Sequence, residues 1–138
     1  MLNPARVRCV LFTAFEKKNP FLAYRAPALG YAVLIFIMSS IPGYELPDLP
    51  FYSFDKIVHT IEFGLFGMLL YRALRFPEPF SSPYLLALCI GIPYAALDEI
   101  HQLYVPGRKC DIVDFVMDAL GLIVFAGISA WLNRREKE

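Results

Sequence analysis

Charge is scarce in this 138-residue chain: Asp, Glu, Lys and Arg together make up 19% of it, against 57% hydrophobic residues. Too few polar side chains remain to cover the large surface of a small soluble domain. A basic excess is missing too. Thirteen Lys and Arg balance thirteen Asp and Glu, which excludes a simple nucleic-acid binder, and the apolar content excludes disorder. Cysteine is limited to Cys9, Cys89 and Cys110, an odd set without metal-like pairing at short range, and each is read as unpaired. No nucleophile elbow, HExxH motif, phosphate-binding glycine loop or cofactor fingerprint occurs. The length leaves room for one domain. What survives is a membrane protein.

Four apolar runs are present, divided by proline, glycine or charge: Tyr24 to Ile41, Ile57 to Leu74, Pro83 through Leu97 and on to about Tyr104, and Ile112 to Leu132. A hydrocarbon core of about 30 Å requires roughly 20 helical residues. The runs meet that length only with their charged ends inside. They are too long for barrel strands and lack period-two alternation, so helices satisfy the backbone. Pro93 falls within the third helix and removes one backbone donor. The expected fold is all-α: a four-helix transmembrane bundle over 24–133, a short N-terminal interfacial segment over 1–23, and a cytoplasmic tail over 134–138.

Basic residues set the orientation. Ten of the thirteen Lys and Arg lie in the N-terminal segment through Arg25, around the 72–82 loop, or after the fourth span. Only Lys56, Arg108 and Lys109 lie on the opposite side, which places both termini in the cytoplasm and loops 42–56 and 104–111 outside.

The acids gather on that outer side: Glu45, Asp48, Asp55, Glu62, Asp98, Glu99, Asp111, Asp114 and Asp118. Acidic residues contribute little to topology, so this pattern needs its own cause. Asp55, His59 and Glu62 share one face of the second helix, and Asp111, Asp114 and Asp118 share one face of the fourth. At about 1.5 Å per residue, Glu62 and Asp118 lie roughly 8–9 Å inside their apolar boundaries, with Glu99 at similar depth. Glu45, Asp55 and Asp111 are read as solvated helix ends, and His101 as a bystander. Glu62, Asp98, Glu99 and Asp118 are read as facing a polar cavity, because intramembrane charge is costly. Arg108 is their expected partner and a donor to phosphate.

The blocks Asp55-Lys56-Ile57-Val58-His59, Asp98-Glu99-Ile100-His101-Gln102, Pro106-Gly107-Arg108 and Asp111-x-x-Asp114 resemble the pattern of VanZ-like membrane proteins over roughly residues 29–130. Asp118-Ala119-Leu120-Gly121 stands where that family often has Asn-x-x-Gly, an acid in place of the amide. The family is named after a protein associated with low-level teicoplanin resistance. The resemblance implies a small multispanning protein of the bacterial cytoplasmic membrane connected with the envelope, and it brings no reaction.

Two functions compete. One is binding of an envelope lipid or lipid-linked cell-wall precursor by Asp55, Lys56, His59, Glu62, Asp98, Glu99, Gln102, Arg108, Asp111, Asp114 and Asp118, with Arg108 and Lys109 on phosphate. The other is a membrane-embedded, metal-assisted hydrolase or transferase acting on a lipid-linked substrate. A purely structural lock between helices ranks third. Seven of these carboxylates face three cations, so shared protons, a bound divalent cation or a donor-rich ligand must compensate. Oxygen ligands favour magnesium or calcium, and recruitment of His59 beside Glu99 and Asp118 favours zinc or manganese.

Overall fold

The computed structural model describes residues 18–45, 52–76 and 80–135. Most of the expected interfacial segment, Cys9, Asp48 and the end of the C-terminal tail lie outside them. Four helices follow in order: α1 (Phe21–Ser39), α2 (Tyr52–Arg75), α3 (Pro83–Gln102) and α4 (Ile112–Arg135). Each is long and apolar enough to cross a membrane, and no strand occurs among the described residues.

Local chemistry sets the ends. The first turn of α1, Phe21–Arg25, is a wide π-turn, and Ala26 separates it from Pro27, which has no N–H to donate. The helix stops at Ser39, two residues short of the apolar run. There the Ser39 and Ser40 hydroxyls donate to the Phe36 carbonyl, and Pro42 disfavours helical Ile41. At the other junction, Oδ1 of Asp111 accepts from the Val113 N–H at 2.9 Å and so caps the start of α4. Arg72 and Arg75 end α2, and Arg134 and Arg135 end α4, where cations suit the helix dipole. α3 continues through Pro93.

α2 and α4 pack most intimately, through small residues. A Cβ at Gly121 would stand 2.2 Å from the Thr60 carbonyl oxygen, so only glycine permits this approach. Phe63, Leu122, Ala87 and Ala126 fill the centre with essentially no exposed surface. α1 packs mainly against α2, where the Tyr31 and Phe66 rings stack with centroids 6.4 Å apart, and it adds polar contacts to α3: the Tyr94 hydroxyl donates to the Ala32 carbonyl at 2.7 Å, and Ser40 Oγ lies 2.9 Å from His101 Nε2. Outward faces carry Leu34, Ile61, Leu85, Leu97, Val124 and Ile128, all exposed. In water such surface would drive aggregation, whereas in lipid it is the ordinary exterior.

The segments after α1 and α3 meet at one end of the bundle. The Gly43 N–H donates to the Pro106 carbonyl at 2.9 Å, and Gly107 takes φ +76°, a left-handed value that favours glycine. This junction carries Arg108 against the C-terminus of α1.

Candidate functional site

The polar residues singled out by sequence occupy three adjoining places. The first surrounds Lys56, whose side chain is buried to 9% exposure and whose ammonium contacts Asp111 Oδ2 at 3.2 Å, Asp55 Oδ2 at 3.6 Å and Asp114 Oδ1. Asp55 and Asp111 are half-buried and paired, not solvated helix ends as their position in the sequence suggests. Lys56 joins α2 to the start of α4 and compensates carboxylates from both.

One turn deeper lies the second group. His59 Nδ1 is 3.0 Å from Asp118 Oδ1, and Asp118 is completely buried. The Gly121–Thr60 approach produces this juxtaposition, because His59 precedes Thr60 and Asp118 lies one turn before Gly121. Glu99 enters from α3 with 3% exposure, and its Oε2 accepts from the Asp111 N–H at 2.9 Å. Donor atoms of His59, Glu99 and Asp118 all lie within 4.8 Å of one another.

The third place is a cavity of about 600 Å³ opening between α1 and α2. Its charged and strongly polar lining consists of Asp55, His59, Glu62, Asp98, Gln102 and Arg108. Gln102 is buried and donates through Nε2 to Asp98 Oδ2 at 3.0 Å. Arg108 was expected to pair with carboxylates. It donates instead to backbone: Nε to the Ile41 carbonyl and Nη2 to the Met38 carbonyl, each at 3.1 Å. These bonds satisfy carbonyls left open at the end of α1 and seat the guanidinium on the cavity wall. Lys109 is exposed on the loop and does not line the cavity.

The single pocket expected from spacing is therefore divided. Asp114, Glu99 and Asp118 lie behind its wall, while His59 belongs both to the wall and to the buried group. Sequence reasoning missed the contribution of α1. Tyr31 and Ser39 line the cavity with Leu34 and Met38, and no charge between residues 31 and 39 marks them. His101, expected as a bystander, ties α3 to α1 through Ser40 and the Phe36 ring, 4.6 Å away between centroids.

Four apolar helices closed around buried carboxylates, a histidine and a lysine define a small multi-pass membrane protein with a polar interior at one end. The chain belongs to the VanZ/LLP1 family, whose model matches residues 20–133. Comparison with curated proteins gave no match, and neither did comparison with solved structures.

Proposed function

We propose that the cavity between α1 and α2 binds the head group of an envelope lipid or lipid-linked cell-wall precursor, and that this binding underlies a link to glycopeptide (teicoplanin) resistance. One observation carries the reading: the cavity lined by Asp55, Glu62 and Asp98 is lined also by an apolar wall of Leu34, Met38, Ile61 and Leu65. All four are substantially exposed, so the wall runs out to the lipid-facing surface. An amphiphile entering sideways from the bilayer would leave its chain on that wall and its head among the polar groups.

The polar groups favour a head rich in donors. Asp55, Glu62 and Asp98 are acceptors when ionised, and they suit sugar hydroxyls or an amine. Arg108 keeps N–H groups beyond the two it spends on α1, and these suit a phosphate. A phosphate-linked sugar offers both. With both termini cytoplasmic, the cavity lies in the outer leaflet of the bacterial cytoplasmic membrane, where such precursors are displayed.

Family membership supports the resistance link, and teicoplanin susceptibility tests it. Cells carrying the wild-type chain are compared with cells carrying Glu62→Gln plus Asp98→Asn, at matched membrane levels. The double variant should be as susceptible as cells lacking the chain. Full protection by the double variant would contradict the proposal.

A further inference from the structure

Two groups of potential metal ligands meet at His59, and they differ in one respect. Asp55, His59 and Asp114 already contain a cation, because the Lys56 ammonium contacts both acids. His59, Glu99 and Asp118 hold no lysine or arginine, and the one group among these three able to carry positive charge is the His59 imidazole, 3.0 Å from Asp118. Among the described residues neither Glu99 nor Asp118 has a lysine or arginine within ion-pair distance. Each also carries a buried oxygen with no hydrogen-bond partner, Glu99 Oε1 and Asp118 Oδ2. Two orphaned carboxylate oxygens at 3% and 0% residue exposure are expensive unless something positive or donating meets them.

From this geometry we infer that His59, Glu99 and Asp118 form a divalent cation site of the zinc or manganese class, buried where α2, α3 and α4 meet. One imidazole nitrogen and two carboxylates are a donor set suited to these ions, whereas a purely oxygen set would favour magnesium or calcium. Zinc ligands at about 2.0–2.2 Å put neighbouring donor atoms roughly 3.3 Å apart in a tetrahedral site. His59 Nδ1 and Asp118 Oδ1, 3.0 Å apart, already have that spacing. Glu99 offers a donor within 4.8 Å of both and has to close in as the ion binds. Glu99 is held in place by the Asp111 N–H on its other oxygen, the kind of outer support that fixes a ligand carboxylate. Three protein ligands leave a coordination position open, and His59 borders the cavity. The site does not depend on the head-group proposal, since Glu99 and Asp118 do not line the cavity.

The test uses the purified full chain in detergent, stripped with a chelator, desalted and exposed separately to Zn²⁺, Mn²⁺ and Mg²⁺. Retained metal is counted by elemental analysis, and thermal unfolding is recorded with and without each ion. The inference expects one zinc or manganese ion per chain and a higher Tm in its presence. Glu99→Gln and Asp118→Asn should each weaken retention by roughly tenfold or more, at least the loss seen when a group that merely orients a ligand is removed. Asp98→Asn, on the cavity wall, should keep the ion. Substoichiometric retention of all three ions by the wild-type chain would overturn the inference without recourse to variants. Preference for magnesium would remove the role of His59 and overturn it too, as would undiminished retention by monodisperse Glu99→Gln and Asp118→Asn proteins.

Discussion

His59 on α2 and Asp118 on α4 meet at 3.0 Å because glycine stands one turn beyond the aspartate. At residue 121 the two backbones are so close that a Cβ would stand 2.2 Å from the Thr60 carbonyl oxygen. The helix contact and the acid–histidine pair are therefore one feature, and the side chain at 121 controls both.

Gly121→Ala should force α2 and α4 apart. The expected loss is about 1–3 kcal/mol, the usual range for overpacking a tight contact, read as a lower Tm in detergent. Gly30→Ala is the control. Nothing lies within 4 Å of a Cβ there, so the change should be neutral or slightly stabilising.

Lys56 holds acids from α2 and from the junction before α4, and Asp114 is as buried as the lysine itself. Lys56→Met should destabilise the protein by roughly 3 kcal/mol, the scale of leaving a buried charge uncompensated. Adding Asp114→Asn should recover part of that loss, because one stranded carboxylate is then gone. Chemical unfolding of the two proteins in the same detergent measures the difference.

The Arg108 guanidinium spans two carbonyls three residues apart, those of Met38 and Ile41. Lysine offers a single compact ammonium without that fork. Arg108→Lys should loosen the end of α1 and cost about 1–2 kcal/mol, in line with a hydrogen bond from a charged donor. Faster hydrogen exchange confined to residues near 38–45 would be the local sign, and unchanged exchange there would count against the cap.

The four helices are legible in the sequence because apolar runs of spanning length, broken by proline and charge, leave little else for the backbone to do. The spacing of Asp55, His59 and Glu62, and of Asp111, Asp114 and Asp118, also identifies the inward faces of α2 and α4. Which acid meets which cation is not legible. Lys56 finds Asp111 and Asp114 across more than fifty residues of chain, and no local pattern encodes that pairing. Arg108 is drawn to carbonyls rather than carboxylates because Gly43 and Gly107 dock its loop on the end of α1. His101 lies two positions from Glu99, on the opposite side of α3, and so turns to α1 instead of the acid cluster. The cavity wall from α1 is apolar and carries no signal of its own.

Cys110 reports the orientation. It is exposed on the loop before α4, and an outward-facing loop makes it reactive with an impermeant maleimide on intact cells. Desolvation and the carboxylates of Glu99 and Asp111 raise its thiol pKa, so less thiolate is present at neutral pH and labelling should quicken as the medium is made alkaline. With the proposed orientation, in which both termini are cytoplasmic, Cys9 should label only after lysis. The reverse pattern would invert the topology.

The proposed role of the cavity is to hold an amphiphile by its head. Its most direct measurement is native mass spectrometry of the chain released from nanodiscs of phosphatidylglycerol doped with a lipid-linked cell-wall precursor. The wild-type protein should retain one precursor molecule, and the Glu62→Gln plus Asp98→Asn variant should release it while keeping the wild-type Tm to within a few degrees. A wild-type chain that emerges without precursor, or a variant that holds it equally well, would contradict the account.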